Sequence, residues 1–189
     1  RHRPNAGMRV RYTVESPQTA FDWDCSHHPI CTDTFFHGIG NTFLLVPKPG
    51  YGGAPETYEV LLRWRLPRGW KAVSSWGIGS HVGAPMNVSD LRHSVYLAGP
   101  LVKQHVDVPG ADRLTVALID AFGFDAAELA RMAADIISDQ VRFMREPAFP
   151  EFLVTAIPVG PALGGAGQQM AGTGLHHSLA LFLSPDAQI

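Results

Sequence analysis

The sequence has little charge, few cysteines and no long hydrophobic run. Charged residues make up 17% of the 189 residues, and the formal net charge is −2. Without an excess of lysine and arginine, the chain has no basic surface that could release counterions from phosphates, so we expect no nucleic-acid partner. No apolar stretch approaches the roughly 20 residues that cross a bilayer, so we expect no membrane span.

The sequence also lacks the common catalytic motifs. We find no HExxH, no GxSxG, no phosphate-binding loop and no pair of carboxylates at a catalytic spacing. The chain instead has 19 glycines and 15 prolines, and 46% of its residues are apolar. This composition is typical of many short strands joined by turns around an ordinary core. The residues alone therefore predict no catalytic residue, no metal ligand and no complete active site.

Strand patterns dominate the first 120 residues. Met8–Val14 alternates apolar and polar residues, and Thr57–Leu66 places Tyr58, Val60 and Leu62 on one face. Further extended segments are predicted at Val88–Leu97, Leu101–Val108 and Arg113–Ile119, the last of them fully buried. The pattern predicts an N-terminal β domain over residues 1–120.

A helix begins a different unit over residues 121–189. Asp125 and Glu128 have the spacing of a capping box, and they predict a helix over Ala126–Met144 that ends before Pro147. Its apolar positions recur at helical spacing: Leu129, Met132, Ala133, Ile136, Ile137, Val141 and Met144. A strand is predicted at Phe152–Ile157. The expected fold class is α+β, mainly β, with a sandwich-like first domain.

The most informative stretch is Gly172–Leu183, where a glycine turn leads into two adjacent histidines and an apolar segment. The pattern predicts one strand that ends at Ser184, with His176, Ser178, Ala180 and Phe182 on one face. His176 and His177 are either ligands or polar groups in a cleft, or ordinary hydrogen-bonded surface histidines. The single histidines are interpreted as structural: His37, His81, His93 and His105.

The two cysteines, Cys25 and Cys31, enclose a short segment that contains His27 and His28. Three interpretations remain open. A small disulfide-closed loop in an exported protein is the simplest. Free thiols are the second. A zinc site is the third, although adjacent histidines seldom converge on one ion.

Several features occur in the order found in a known enzyme group. Tyr58–Trp64 is a strand, Leu66-Pro-Arg-Gly-Trp70 is similar to a P-x-G-W turn, and a helix precedes Phe149–Thr155. Gly172-Thr-Gly-Leu-His-His-Ser178 is similar to a G-G-L-E-H-x-x-S segment. In this order the chain resembles the glycyl aminopeptidases, family sixty-one of the zinc metallopeptidases, which are related to thermolysin-type and aminopeptidase-N-type enzymes. The likeness covers most of the chain, and its specific motif is the last segment.

The resemblance implies that residues 121–189 are the first part of a thermolysin-like catalytic domain. In such enzymes the strand after the glycine motif is an edge of the catalytic sheet and binds substrate backbone as an added strand. The residues implied to bind substrate are Gly172, Thr173, Gly174, Leu175, His176 and His177. The helix that carries HExxH and holds zinc would follow Ile189. This chain alone would then hold no cofactor and be inert, whereas zinc is expected in the full-length parent.

The motif also departs from the family. His176 stands where the family has a glutamate, which in the aminopeptidases pairs with the α-amino group of the substrate. A neutral histidine cannot form that ion pair at pH 7. His177 and Gly174 match the family histidine and the second glycine.

Three hypotheses follow. The first is the N-terminal portion of a secreted or periplasmic zinc metallopeptidase, whose partners are a peptide substrate and the remainder of the catalytic domain. The second is a complete, non-enzymatic β-sandwich binding module. Exposure of Leu179, Leu181 and Leu183 separates these two, because a truncated domain should leave them uncovered. The third is a small metal-binding protein that uses the Cys25–Cys31 loop.

Overall fold

The computed structural model describes residues 9–16, 28–46, 57–109, 111–145, 151–160 and 170–189. The strands are β1 (Ile30–Cys31), β2 (Phe36–Ile39), β3 (Thr57–Arg63), β4 (Lys71–Ser74), β5 (Gly77–Ile78), β6 (His81–Asn87), β7 (Val95–Gly99), β8 (Leu101–Val108), β9 (Ala111–Ile119), β10 (Phe152–Pro158), β11 (Met170–Leu175) and β12 (Ser178–Leu183). The helices are α1 (Gly40–Phe43), α2 (Val88–Arg92) and α3 (Ala126–Met144). This mainly β content with one long helix agrees with the predicted class.

The largest element is a mixed five-stranded sheet, which we call sheet C, with the strand order β11-β12-β10-β9-β8. Its three inner strands are parallel, and the two outer strands, β8 and β11, are antiparallel to their neighbours. Strand β9 is buried on both faces from Leu114 to Ile119, as its continuous apolar run predicted. Side chains alternate between two separate apolar clusters, one on each face of sheet C.

Helix α3 covers one face of sheet C, mainly over β8 and β9. Its bounds confirm the prediction, and Asp125 caps it by accepting a hydrogen bond from the Ala127 N–H at 2.9 Å. The buried positions are Ala126, Leu129, Ala130, Ala134 and Ile137. Small alanines let the helix approach the sheet closely. Met132, Ile136 and Met144, which were predicted to share the apolar face, are exposed because they lie outside the arc that the sheet covers.

The other face of sheet C packs against a second five-stranded sheet, sheet A, with the order β1-β2-β7-β4-β5. Sheet A contributes Ile30, Val73, Val95 and Leu97 to the shared core. Sheet C contributes Ala117, Ile119, Leu153, Ile157, Ala180 and Phe182 to it. The arrangement is a sheet-on-sheet sandwich with α3 as an outer layer.

The strands β3 and β6 form a separate two-stranded sheet, sheet B. Between β6 and β7 lies α2, so the prediction of an extended segment over Val88–Leu97 is wrong for Val88–Arg92 and confirmed for Val95–Leu97, which belong to β7. The Asn87 side chain accepts from the Asp90 N–H at 2.7 Å, an N-cap that starts the helix at Val88. Arg9–Val14 also differs from its prediction, because these residues are irregular and mostly exposed. Alternating apolar and polar residues indicate that one face could be buried, but a strand also needs a neighbouring strand to pair with.

The predicted domain boundary at residue 120 falls inside sheet C, since β9 precedes it and β10 pairs directly with β9. Residues 101–119 therefore share one sheet with residues 152–183. Among the helices that the structure describes, none has the length and apolar character needed to cross a membrane.

Candidate functional site

The predicted substrate-binding residues form the edge strand and the turn of the β11–β12 hairpin. Strands β11 and β12 are paired along their length, from Met170 opposite Leu183 to Leu175 opposite Ser178. Strand β11 is the outermost described strand on this side of sheet C. The resemblance implied that the strand after the glycine motif is the edge. The structure corrects this, because β12 lies inside the sheet and the motif strand β11 is at the edge.

The register of this hairpin determines which backbone groups face outward. Leu175 and Ser178 close the turn, so they are a hydrogen-bonded pair, and such pairs alternate with non-hydrogen-bonded ones along an antiparallel ladder. Gly174 and Gly172 belong to the non-hydrogen-bonded pairs, so their N–H and C=O groups point away from β12. Both glycines are exposed, whereas Thr173 and Leu175 are half-buried. Among the described residues, the outer edge of β11 therefore presents glycine backbone without a side chain beside it.

His176 and His177 form the turn and do not belong to the strand, contrary to the predicted alternation. His177 has a φ of 44°, in the left-handed region, which reverses the chain between Leu175 and Ser178. From Ser178 onward the prediction is confirmed: Ser178, Ala180 and Phe182 point to the sandwich core. The alternation of side chains was therefore predicted correctly for β12, which begins at the first residue after the turn.

The turn docks on residues from distant parts of the chain. The His176 N–H donates to the His93 C=O at 2.7 Å. The His176 ring stacks on Trp76 with centroids 5.2 Å apart and on His177 with centroids 4.2 Å apart. Its Nδ1 lies 3.6 Å from Asp90 Oδ1 in α2. His176 is thus held between α2 and the β4–β5 turn.

A short hydrogen-bond chain continues beneath the turn. Ser178 Oγ donates to the His176 C=O at 2.9 Å and lies 2.8 Å from Ser75 Oγ. Ser75 Oγ in turn accepts from the Val95 N–H at 2.9 Å. These contacts connect sheet C to sheet A through two buried or half-buried hydroxyl groups. Each hydroxyl both donates and accepts, so the polar groups at this junction are satisfied.

Electrostatics favour a neutral His176. Partial burial lowers the pKa of His176, the Asp90 carboxylate opposes this shift, and neighbouring His177 lowers the pKa further. Among the described residues, no group of three or more histidine, cysteine or acidic side chains could hold a metal ion. The arrangement can bind and orient an extended backbone at the edge of β11.

Of the two cysteines, only Cys31 lies among the described residues. Cys31 is a half-buried thiol in β1, and burial raises its pKa. Cys25 lies outside the described residues, so the Cys25–Cys31 disulfide stays a prediction.

Sequence reasoning missed the residues that receive the turn, namely Ser75, Trp76, Asp90 and His93. His93 was interpreted as structural, and it acts here through its backbone carbonyl. The Asn87–Asp90 capping pattern was a signal that could have revealed α2. Nothing in the sequence pairs Trp76 with His176, because that contact depends on how the two sheets pack.

Neither a known protein family nor a curated protein matches the sequence. Among solved structures, the fold is similar to part of an aminopeptidase N family protein from Idiomarina loihiensis, with a TM-score of 0.66 and 17% identity. The match covers 87% of this chain and 27% of that protein. The chain therefore spans about a quarter of that relative, and a likeness at this identity concerns the fold.

Proposed function

We propose that this chain is the N-terminal portion of an aminopeptidase-like zinc metallopeptidase, in which β11 binds the backbone of a peptide substrate. The observation that supports the proposal best is the outward-facing backbone of Gly172 and Gly174 at the edge of sheet C. No strand pairs with that edge among the residues that the structure describes. A peptide can add there as a further strand, with main-chain hydrogen bonds for affinity.

The glycines suit this role for a steric reason. A Cβ placed on Gly174 would meet nothing within 4 Å, so the space beside it is open. A Cβ placed on Gly172 would lie 3.2 Å from Leu181 Cδ2, which packs closely beneath. Substrate side chains on this face would therefore lie above Leu179 and Leu181. The zinc and its ligands would come from the remainder of the catalytic domain, and this chain alone would be inert.

The proposal is tested by removing one outward N–H. Gly174→Pro deletes the N–H that would donate to a bound peptide, and it leaves the β11–β12 ladder intact because that group faces away from β12. Gly174→Ala keeps the N–H and is the matched control. We expect a short unblocked alanine-rich peptide to slow amide exchange at positions 172 and 174 in both the parent chain and the alanine variant. In the proline variant, exchange at Gly172 should remain fast.

Equal peptide binding by both variants would contradict the proposal. Protection confined to another strand would contradict it as well. In either case the peptide would not be adding to β11.

A second candidate function is a complete, non-enzymatic β-sandwich binding module. Leu183 is 2% exposed, and Leu179 and Leu181 are half-buried. A truncated domain should leave these three side chains uncovered, so their burial favours the binding module. Exposed apolar side chains on α3 favour the first proposal, since they have the character of a surface that another part of a protein covers: Met132, Ile136, Phe143 and Met144. The reading frame of the source gene beyond Ile189 distinguishes the two. A following HExxH helix supports the peptidase.

We also propose that the protein is located in the periplasm or outside the cell, because the predicted disulfide between Cys25 and Cys31 would form in an oxidising compartment. Alkylation of the native protein with iodoacetamide followed by mass analysis tests it. Unmodified cysteines that become reactive only after reduction would support an oxidising compartment, whereas modification of both thiols without reduction would argue against it.

A further inference from the structure

An apolar pocket lies between sheet B and the outer face of sheet A. It has a volume of about 330 Å³, which is within the range of small-molecule sites. Its buried floor includes Met86 and Tyr96, which are 2% and 1% exposed. Leu45 and Leu61 line it while being 66% and 57% exposed, so its mouth is apolar as well. The full lining is Leu44, Leu45, Val46, Tyr58, Val60, Leu61, Leu62, Trp76, Met86, Leu91 and Tyr96.

The lining determines the chemistry of an occupant. None of the lining residues carries a charge, so a charged group would lose its hydration without gaining a partner. The Tyr96 hydroxyl already donates to the Leu91 C=O at 3.3 Å, and burial raises the pKa of Tyr96 to about 12, so this group stays neutral. The occupant must therefore be uncharged and largely apolar.

Trp76 adds a polar requirement. Its indole Nε1 is buried and makes no hydrogen bond of good geometry among the described residues, and the Tyr96 hydroxyl is the polar group that interacts with the Trp76 side chain. A buried N–H without an acceptor is unfavourable, and an acceptor on a molecule in the pocket would relieve it. The same indole stacks on His176 at the tip of the β11–β12 hairpin. Trp76 thus connects the pocket to that tip.

We propose that this pocket binds a small, uncharged, apolar molecule that carries a hydrogen-bond acceptor such as a carbonyl oxygen. The acceptor faces Trp76, and the apolar body lies between β3 and the Met86–Tyr96 floor. The lining residues lie in sheet B, β7, α2, the segment after α1 and Trp76, and none of them belongs to the edge strand β11, although Trp76 also contacts the hairpin turn at His176.

The test uses the full chain and 6-propionyl-2-(dimethylamino)naphthalene, an uncharged naphthalene ketone whose fluorescence reports an apolar environment. We expect saturable binding of one equivalent, with energy transfer from tryptophan. Val60→Trp fills the pocket and should abolish binding. Trp76→Phe keeps an aromatic ring but removes the N–H, and it should weaken binding about tenfold.

Two further variants keep the result interpretable. Leu61→Asp places a charge at the exposed mouth, where it cannot disturb the core, and should also weaken binding; it serves if Val60→Trp fails to fold. Phe143→Ser removes the most exposed apolar side chain on α3, at 84% exposed, and should leave binding unchanged. Non-saturable binding would overturn the proposal. So would a loss of binding in Phe143→Ser with unchanged binding in Val60→Trp or Leu61→Asp.

Discussion

The indole of Trp76 stacks on the imidazole of His176, with ring centroids 5.2 Å apart and planes inclined by 25°. Trp76 follows β4 in sheet A, and His176 is in the turn that ends the edge strand of sheet C. The stack, together with the His176–His93 backbone hydrogen bond, fixes the tip of the β11–β12 hairpin to the opposite layer. The position that the family resemblance associates with substrate recognition is therefore occupied by a ring engaged in packing.

We expect Asp90→Asn to lower the pKa of His176 further. The Asp90 carboxylate raises this pKa, in opposition to burial and to His177, and the amide removes that charge while keeping a similar shape. The measurement is an NMR titration of the His176 ring. Asp139→Asn, on the exposed surface of α3, is the control and should leave the titration unchanged. An unaltered pKa in Asp90→Asn would show that the carboxylate does not act on this ring.

We expect His37 to make the protein less stable in mild acid. His37 is buried against Phe182, and burial lowers its pKa from 6.5 to about 4. Between these values the unfolded chain binds a proton that the folded chain does not. Stability therefore falls as the pH drops from 6.5 to 4, by about 3 kcal/mol in total.

His37→Leu should remove this part of the pH dependence. Both ring nitrogens of His37 lack hydrogen-bond partners among the described residues, so the variant should also gain about 1 kcal/mol at pH 7. Urea unfolding between pH 4.5 and 7 measures both effects. His81→Gln, at an exposed histidine, should retain the acid dependence of the parent. A steep acid loss in His37→Leu would assign the effect to another group.

We expect Gly40→Ala to destabilise the fold by about 3 kcal/mol or more. A Cβ at Gly40 would lie 1.9 Å from the Leu91 carbonyl oxygen, which is backbone and cannot move aside cheaply. The close approach of α1 to α2 therefore requires glycine. Gly123→Ala, where the added Cβ meets nothing within 4 Å, is the control and should change the denaturation midpoint little. Similar midpoints for both variants would refute the steric argument.

We expect Asp125→Ala to cost about 1 kcal/mol, because it removes the side-chain acceptor for the Ala127 N–H at the start of α3. Asp139→Ala breaks only an exposed ion pair with Arg142 and should cost less than about 0.5 kcal/mol. Thermal or urea unfolding of the two variants gives the comparison. An equal loss in both would mean that the cap contributes no more than a surface charge.

The sequence by itself determined the elements whose signals are local. The capping residue and the helical period of α3 predicted its bounds, and the apolar run of β9 predicted a strand buried on both faces. The alternation from Ser178 onward assigned side chains to the correct faces of β12. These features depend on neighbours within a few residues, so a local pattern is sufficient.

Only the tertiary structure decided the features that depend on distant partners. It placed β11 and not β12 at the edge of sheet C, joined β8 and β9 to the strands that follow residue 120, and left Arg9–Val14 irregular. It also turned the chain at His177 and brought Trp76, Asp90 and His93 against His176. Strand order and cross-layer contacts bring together residues that are far apart in the chain, such as Trp76 and His176, and no local periodicity carries that information.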